Sequence, residues 1–65
     1  MALRDYQNAI RRDPKKGLIY FNRAQTYFFM GKYPEALKDI QQSRSLGVDV
    51  PQSFVDSVQA KMPPR

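Results

Sequence analysis

The sequence predicts an all-α protein in which antiparallel helical hairpins stack side by side. Proline and glycine divide its 65 residues into four segments of about 11 to 13 residues, the length of a short helix. Within the segments apolar residues recur at spacings of three and four, and none shows the sustained apolar–polar alternation of a strand. A sequence repeat with a period of 34 residues is a third indication, because such periods are typical of stacked helical units.

The first two segments carry apolar stripes at helical spacing. The first predicted helix runs from about Ala2 to Arg12, with Leu3, Tyr6 and Ile10 on one face. The second runs from about Leu18 to Met30 and is apolar around much of its circumference. We therefore expect other helices to contact the second helix on more than one side.

The third and fourth segments have recognisable start and stop signals. The third predicted helix runs from about Pro34 to Ser45, and Gly47 offers a left-handed end to it. The fourth runs from about Val50 to Lys61. Asp49 is its expected N-cap, because Gln52 follows three residues later in a capping-box pattern.

The repeat relates the first segment to the third. Residues 2–5 read Ala-Leu-Arg-Asp and residues 36–39 read Ala-Leu-Lys-Asp, and Gln7 matches Gln41 at the same offset of 34. The second and fourth segments match more weakly. A repeat of this kind predicts that each unit buries its apolar face against a neighbour.

Residues 18–46 resemble a tetratricopeptide repeat. The residues that carry the resemblance are Tyr20, Ala24, Tyr27, Gly31, Tyr33, Ala36 and Ile40, with Ala9 and Pro14 closing the preceding unit. The small side chains of Ala24 and Ala36 would let two antiparallel helices approach closely. The resemblance implies a short superhelix of stacked hairpins.

The resemblance also implies a division of the chain. Residues 1–62 form one helical repeat module, in which 2–13 is the second-half helix of one repeat and 17–46 is a complete repeat. Residues 50–62 are expected to be a capping helix, and residues 63–65 a disordered tail.

Proteins of this family are scaffolds whose first-half helices line a groove for a peptide or helix of a partner. Carried onto this chain, the groove positions are occupied by Leu18, Phe21, Gln25, Phe28 and Phe29. The apolar residues would provide anchor area for an apolar or amphipathic partner segment. The alternative is that the phenylalanines pack within the helical stack, or make oligomers without a separate ligand.

Asn22 carries a narrower hypothesis. The segment around it resembles repeats that hold the C-terminal carboxylate of cytosolic heat-shock chaperones, in which an asparagine amide binds that carboxylate. A chaperone C-terminal peptide is therefore one expected partner. The lysine and arginine that the family places on the following helix correspond here to Gln52 and Asp56, and the Asp56 carboxylate would repel such a ligand.

Composition argues against catalysis and cofactors. The chain has no histidine and no cysteine, which removes the commonest general base, the commonest metal ligand and any thiolate. Asp5, Asp39 and Asp49 are interpreted as helix-surface or capping residues rather than as a metal site. We therefore expect no catalytic, cofactor-binding or metal-binding residues, and a protein that is not an enzyme.

The net charge of +5 leaves two further partners to consider. The cations around the first turn are Arg11, Arg12, Lys15 and Lys16. They suit a solvated helix end, an acidic protein partner or, less well, a nucleic acid, for which no binding motif accompanies them. No signal peptide or membrane-spanning run is present, which favours a cytoplasmic location without membrane contact.

The small size of the chain predicts self-association. About three repeats are normally needed for a stable stack, and this chain carries fewer. The first helix should lack its partner, leaving part of Leu3, Tyr6 and Ile10 uncovered. Either the chain is a fragment of a longer array, or it forms homo-oligomers through the first helix or the aromatic face.

Overall fold

A computed structural model describes residues 2–62, and these form four helices and no strand. The helices are α1 (Ala2–Arg12), α2 (Gly17–Met30), α3 (Tyr33–Ser45) and α4 (Gln52–Lys61). The predicted all-α class is confirmed, with helix boundaries within two residues of those expected. The expected disordered tail, 63–65, lies outside the described residues. None of the described helices has the length and apolar character needed to cross a membrane.

The start of α4 corrects the sequence prediction. The helix begins at Gln52 rather than Val50, its N-cap is Pro51, and no side chain caps it, so Asp49 is not the N-cap. The physical reason is that a residue before proline is disfavoured in the helical conformation, which keeps Val50 out of α4. Val50 is also buried, at 4% exposure, so the chain enters α4 with this side chain in the core.

Two glycines take the left-handed conformation at turns between helices, and one of them is Gly47, as predicted. Gly31 ends α2 with φ of 82°, and Gly47 follows α3 with φ of 94°. At the first turn, the Lys32 amide donates to the Tyr27 carbonyl at 2.9 Å. At the second turn, the Val48 amide donates to the Ser43 carbonyl at 3.0 Å. These bonds satisfy carbonyls at the helix ends and reverse the chain tightly.

Helices α2 and α3 form the antiparallel hairpin at the centre of the fold. Ala24 and Ala36 are fully buried in one core cluster, and α2 and α3 lie close together along their length, as predicted. The rest of the core comes from α3, the connection to α4 and α4 itself, through Ile40, Val50, Val55 and Val58. Each helix packs mainly against its neighbours in sequence, as expected for a stack of repeats.

A partly buried ion pair links the two helices of this hairpin. Arg23 on α2 donates two hydrogen bonds to the Asp39 carboxylate on α3, from Nε at 2.7 Å and from Nη2 at 2.8 Å. Asp39 is only 5% exposed, so its interpretation as a helix-surface or capping residue is wrong. The reason is that the stack covers this face of α3 with α2, and a buried carboxylate needs a cationic partner.

The ion pair also changes the pKa of its basic member, Arg23. The hydrogen bonds to Asp39 raise the pKa of Arg23 above its ordinary value, although burial opposes them. The guanidinium carbon lies 5.6 Å from the ring centroid of Tyr20 and 5.7 Å from that of Tyr27. Flanking rings of this kind stabilise the cation further.

Helix α1 packs on α2 but is covered less completely. Leu3, Tyr6 and Ile10 are all half-buried, so part of each side chain is uncovered, as expected from the sequence. The Thr26 hydroxyl on α2 lies 3.4 Å from the Tyr6 hydroxyl, which places the middle of α1 against α2.

Candidate protein-interaction groove

The predicted site residues all lie on α2, but the structure divides them by exposure. Leu18 and Phe29 are exposed, at 54% and 86%. Asn22 is also exposed, whereas Phe21, Gln25 and Phe28 are half-buried.

The half-buried phenylalanines pack against a residue that the site prediction did not include. The ring of Phe54, on α4, meets Phe21 at 5.8 Å and Phe28 at 5.6 Å between centroids, both edge to face. Phe28 also contacts Tyr33, at the start of α3, at 5.7 Å. Phe21 and Phe28 therefore pack partly within the helical stack, which is the alternative to a purely ligand-binding role.

These rings form an aromatic cluster that supports the exposed side chain of Phe29. The cluster consists of Phe21, Phe28, Tyr33 and Phe54, and Phe29 contacts it through Phe28 at 5.8 Å between centroids. Edge-to-face contacts of this kind fix ring orientation and add stability beyond the area that they bury. Phe54 could have been inferred from the repeat, since it occupies the position of Tyr20 in the next unit.

The exposed ends of the candidate groove set its length. Leu18 and Phe29 are eleven residues apart on one helix, which corresponds to about 16 Å along the helix axis. An extended peptide of about five residues would span this distance.

Polar groups accompany the apolar ones. The Asn22 side chain makes no hydrogen bond within residues 2–62, so its amide is available to a ligand. On α4, the side-chain Nε2 of Gln52 donates to the Asp56 carboxylate at 3.1 Å. Arg44 donates to the side-chain Oε1 of Gln52 at 3.0 Å. Asp56 occupies the position of Asn22 one repeat later, so amide and carboxylate stand at matching places on α2 and α4.

The cations predicted near the first turn lie on the surface. Arg11 and Arg12 end α1, Lys15 and Lys16 precede α2, and all four side chains are exposed. Among the described residues, the only salt bridge is that of Arg23, so these four charges contribute freely to the field around the molecule.

Comparison with known proteins identifies the family. The sequence model described as Tetratricopeptide repeat matches residues 5–38, just over half of the chain. The chain belongs to the tetratricopeptide repeat family. This confirms the resemblance inferred from the sequence, and tetratricopeptide repeats are typically protein-binding scaffolds rather than enzymes.

Curated relatives carry a closely similar segment. The chain is 48% identical over 40 residues to the Hsp70-Hsp90 organizing protein of Triticum aestivum and to Hsp70-Hsp90 organizing protein 2 of Arabidopsis thaliana. It is 45% identical over 40 residues to Hsp70-Hsp90 organizing protein 1 of Glycine max. Each match covers 62% of this chain but only 7% of the relative, so the chain corresponds to a small part of these proteins. No solved structure matches the chain significantly.

Proposed function

We propose that this protein is an interaction adaptor that binds an apolar or amphipathic segment of a partner protein along α2. The observation that carries the proposal is Phe29, a phenylalanine left 86% exposed on a fixed aromatic cluster. Burying one such side chain contributes about 1.5 to 3 kcal/mol.

The arrangement around Phe29 suits a binding anchor. Aromatic residues on a supported surface dominate the energetics of many interfaces, because they bury much area and have few rotamers to lose. Leu18 supplies a second apolar contact about 16 Å away along the helix. Asn22 and Gln25 lie between these contacts in sequence and supply polar groups that orient a peptide backbone.

The names of the relatives make a heat-shock chaperone the first partner to test. The exposed Asn22 amide supports contact with a chaperone C-terminal carboxylate. The Asp56 carboxylate opposes this contact, because it stands at the matching position on α4 and carries the same charge as the ligand. We therefore propose that apolar contacts contribute most of the affinity, with the carboxylate contributing little.

The proposal is tested by peptide binding. Fluorescently labelled C-terminal decapeptides of Hsp70 and Hsp90, each as free acid and as C-terminal amide, are titrated with protein while fluorescence anisotropy is measured. Phe29→Ala should weaken binding about tenfold or more, which corresponds to the loss of one buried aromatic anchor. Met30→Ala is the matched control, because Met30 is a neighbouring exposed apolar residue, at 46%, outside the predicted groove.

The outcomes separate the alternatives. Equal binding by acid and amide peptides would support apolar recognition, whereas loss of binding on amidation and with Asn22→Ala would assign the main role to the carboxylate contact. Equal effects of Phe29→Ala and Met30→Ala would contradict the groove. If Phe29→Ala instead converted an oligomer into monomers in light scattering, the aromatic face would be a self-assembly surface.

A further inference from the structure

The hairpin of α2 and α3 carries a surface pocket that is separate from the candidate groove. Its volume is about 370 Å³, and its lining residues are Tyr20, Arg23, Lys38, Asp39 and Gln42. None of the predicted groove residues lines it. Sites for small ligands have volumes of about 300 to 1,000 Å³, so this pocket is large enough for a small chemical group.

The Arg23 guanidinium is held in one orientation in this pocket. Its Nε and Nη2 bind the two carboxylate oxygens of Asp39 at 2.7 and 2.8 Å. The rings of Tyr20 and Tyr27 lie 5.6 and 5.7 Å from its central carbon. A ligand would therefore meet a guanidinium that is already positioned, and little side-chain entropy would be lost on binding.

The pocket offers several hydrogen-bond donors without a partner. An arginine has five N–H donors, and within residues 2–62 only the two of Arg23 that bind Asp39 are used. Because this side chain is 21% exposed, the remaining N–H groups, on Nη1 and Nη2, can reach a ligand. The Lys38 ammonium, the Gln42 amide and the Tyr20 hydroxyl also make no hydrogen bond within the described residues.

The charge of the pocket favours an anion. Arg23 and Lys38 are cationic, and Asp39 is the only acidic residue that lines the pocket. Both oxygens of Asp39 are already bound by Arg23. The other acidic residue of α3, Glu35, lies about one turn before Lys38 and does not line the pocket. One positive charge of the lining is therefore left without a counter-ion.

We propose that this pocket binds a phosphate group. A phosphate monoester carries about two negative charges and has three terminal oxygens, so it can accept hydrogen bonds from a guanidinium and an ammonium together. Arg23 supplies oriented N–H donors, Lys38 supplies the second cation, and Gln42 supplies a neutral donor. A phosphorylated side chain and a free phosphate share this chemistry, and the experiment separates them.

The test is a titration of the isotope-labelled full chain, followed by nuclear magnetic resonance at constant ionic strength. The probes are inorganic phosphate, sodium acetate, and a short neutral peptide with and without one phosphoserine. Phosphate should shift the Arg23 Nε–H signal and the backbone amides of Lys38 and Gln42, with millimolar affinity or tighter. Acetate and the unphosphorylated peptide should shift these signals far less. Tighter binding of the phosphopeptide than of inorganic phosphate would support a phosphorylated side chain as the ligand, and the reverse order would support free phosphate.

Variants with matched controls test the pocket itself. Gln42→Glu should weaken phosphate binding about tenfold, because it places a carboxylate beside the anion. Gln41→Glu is its control, since Gln41 is an exposed neighbour outside the pocket and the change in net charge is the same. Lys38→Gln should weaken binding about fivefold, whereas Lys61→Gln, at the end of α4, should leave it nearly unchanged. All four residues are exposed, so circular dichroism should show that each variant keeps its helices.

Equal weakening by Gln42→Glu and Gln41→Glu would overturn the proposal, because binding would then follow net charge alone. Phosphate shifts confined to Lys15 and Lys16, in the cationic turn before α2, would do so as well. The proposal would also be wrong if acetate bound as tightly as phosphate, or if Lys38→Gln left phosphate binding unchanged.

Discussion

Replacing Arg23 with methionine tests how the partly buried ion pair holds the central hairpin together. The variant keeps an unbranched side chain of similar reach but leaves the Asp39 carboxylate without its two hydrogen bonds of 2.7 and 2.8 Å. The Asp39 side chain is 7% exposed, so water replaces little of what is lost.

Removal of one partner of a buried pair costs about 3 to 5 kcal/mol, because an uncompensated charge stays in the interior. Since the Arg23 side chain is still 21% exposed at the edge of the pair, we expect a loss of about 3 kcal/mol, near the lower end. A chain of 65 residues has a total stability of roughly 3 to 10 kcal/mol, so the effect should be large.

The reciprocal change should be milder. Asp39→Asn leaves an amide that still accepts a hydrogen bond, and Arg23 keeps its contacts with the Tyr20 and Tyr27 rings. We expect a loss of about 1 to 2 kcal/mol. The double variant Arg23→Met with Asp39→Leu should recover much of the stability, because no charge is then buried.

The assay is urea unfolding followed by circular dichroism, at low and at high salt. Arg44→Met is the matched control, because Arg44 is an exposed arginine with one hydrogen bond, to Gln52, and should change stability by less than about 1 kcal/mol. The difference between Arg23→Met and the control should persist at high salt, since buried pairs are screened little.

Two results would refute this reasoning. Arg23→Met could cost no more than Arg44→Met, or Asp39→Asn could cost more than Arg23→Met. Either would mean that the Asp39 carboxylate is better solvated than its burial indicates.

The pair also gives an expectation for alkaline pH. A group whose pKa is raised on folding stabilises the fold fully below its unfolded pKa, and this stabilisation is lost as the pH rises through the folded pKa. The pKa of Arg23 is raised by its hydrogen bonds to Asp39, so the pair should remain intact throughout the mildly alkaline range. A loss of the Arg23→Met effect between pH 8 and roughly 10, well below the ordinary arginine pKa, would contradict this.

Three further changes test other parts of the structure. Gly17→Ala should destabilise the protein by about 1 to 3 kcal/mol in urea unfolding. The reason is that the added Cβ would lie 2.5 Å from a Val48 methyl and 3.0 Å from the Leu46 Cβ. A neutral or stabilising effect would contradict the close packing at the start of α2. Phe54→Ala should lower the free energy of unfolding by about 2 to 3 kcal/mol and weaken peptide binding, because the half-buried ring supports the aromatic cluster. Unchanged binding in anisotropy titrations would show that the cluster does not position Phe29. Asp56→Arg should strengthen binding of a free-acid peptide roughly three- to fivefold over its amide, because it replaces a repulsive charge with an attractive one. Equal affinities of this variant for the two peptides would show that the peptide carboxylate does not lie near α4.

The helical architecture was predictable because its signals are local. Proline and glycine mark the breaks between helices, and Gly31 and Gly47 take the positive φ values for which glycine is suited. The small residues Ala24 and Ala36 predicted the close approach of α2 and α3. The start of α4 was mispredicted because the effect of Pro51 on Val50 outweighed the capping pattern at Asp49.

The candidate groove was predictable only in part. The resemblance to tetratricopeptide repeats gave the positions on α2, from Leu18 to Phe29. The extent to which Phe21 and Phe28 are covered depends on the ring of Phe54 on α4. Phe54 is too far from Phe21 in the sequence for a local pattern to predict this contact. Helical spacing alone separates Phe28 from Phe29, whereas the cover that Phe54 gives to Phe21 and Phe28 followed from packing.

Asp5 and Asp39 separate most clearly what the sequence determined from what the tertiary structure decided. Both follow an Ala-Leu-basic tripeptide, and the sequence assigned both to helices in the same register of a 34-residue repeat. One carboxylate is nevertheless exposed and the other is buried and paired with Arg23. Local sequence sets backbone conformation through nearby sterics and hydrogen bonds, whereas burial depends on which helix lies on top, and in this protein α2 covers only the second of the two sites.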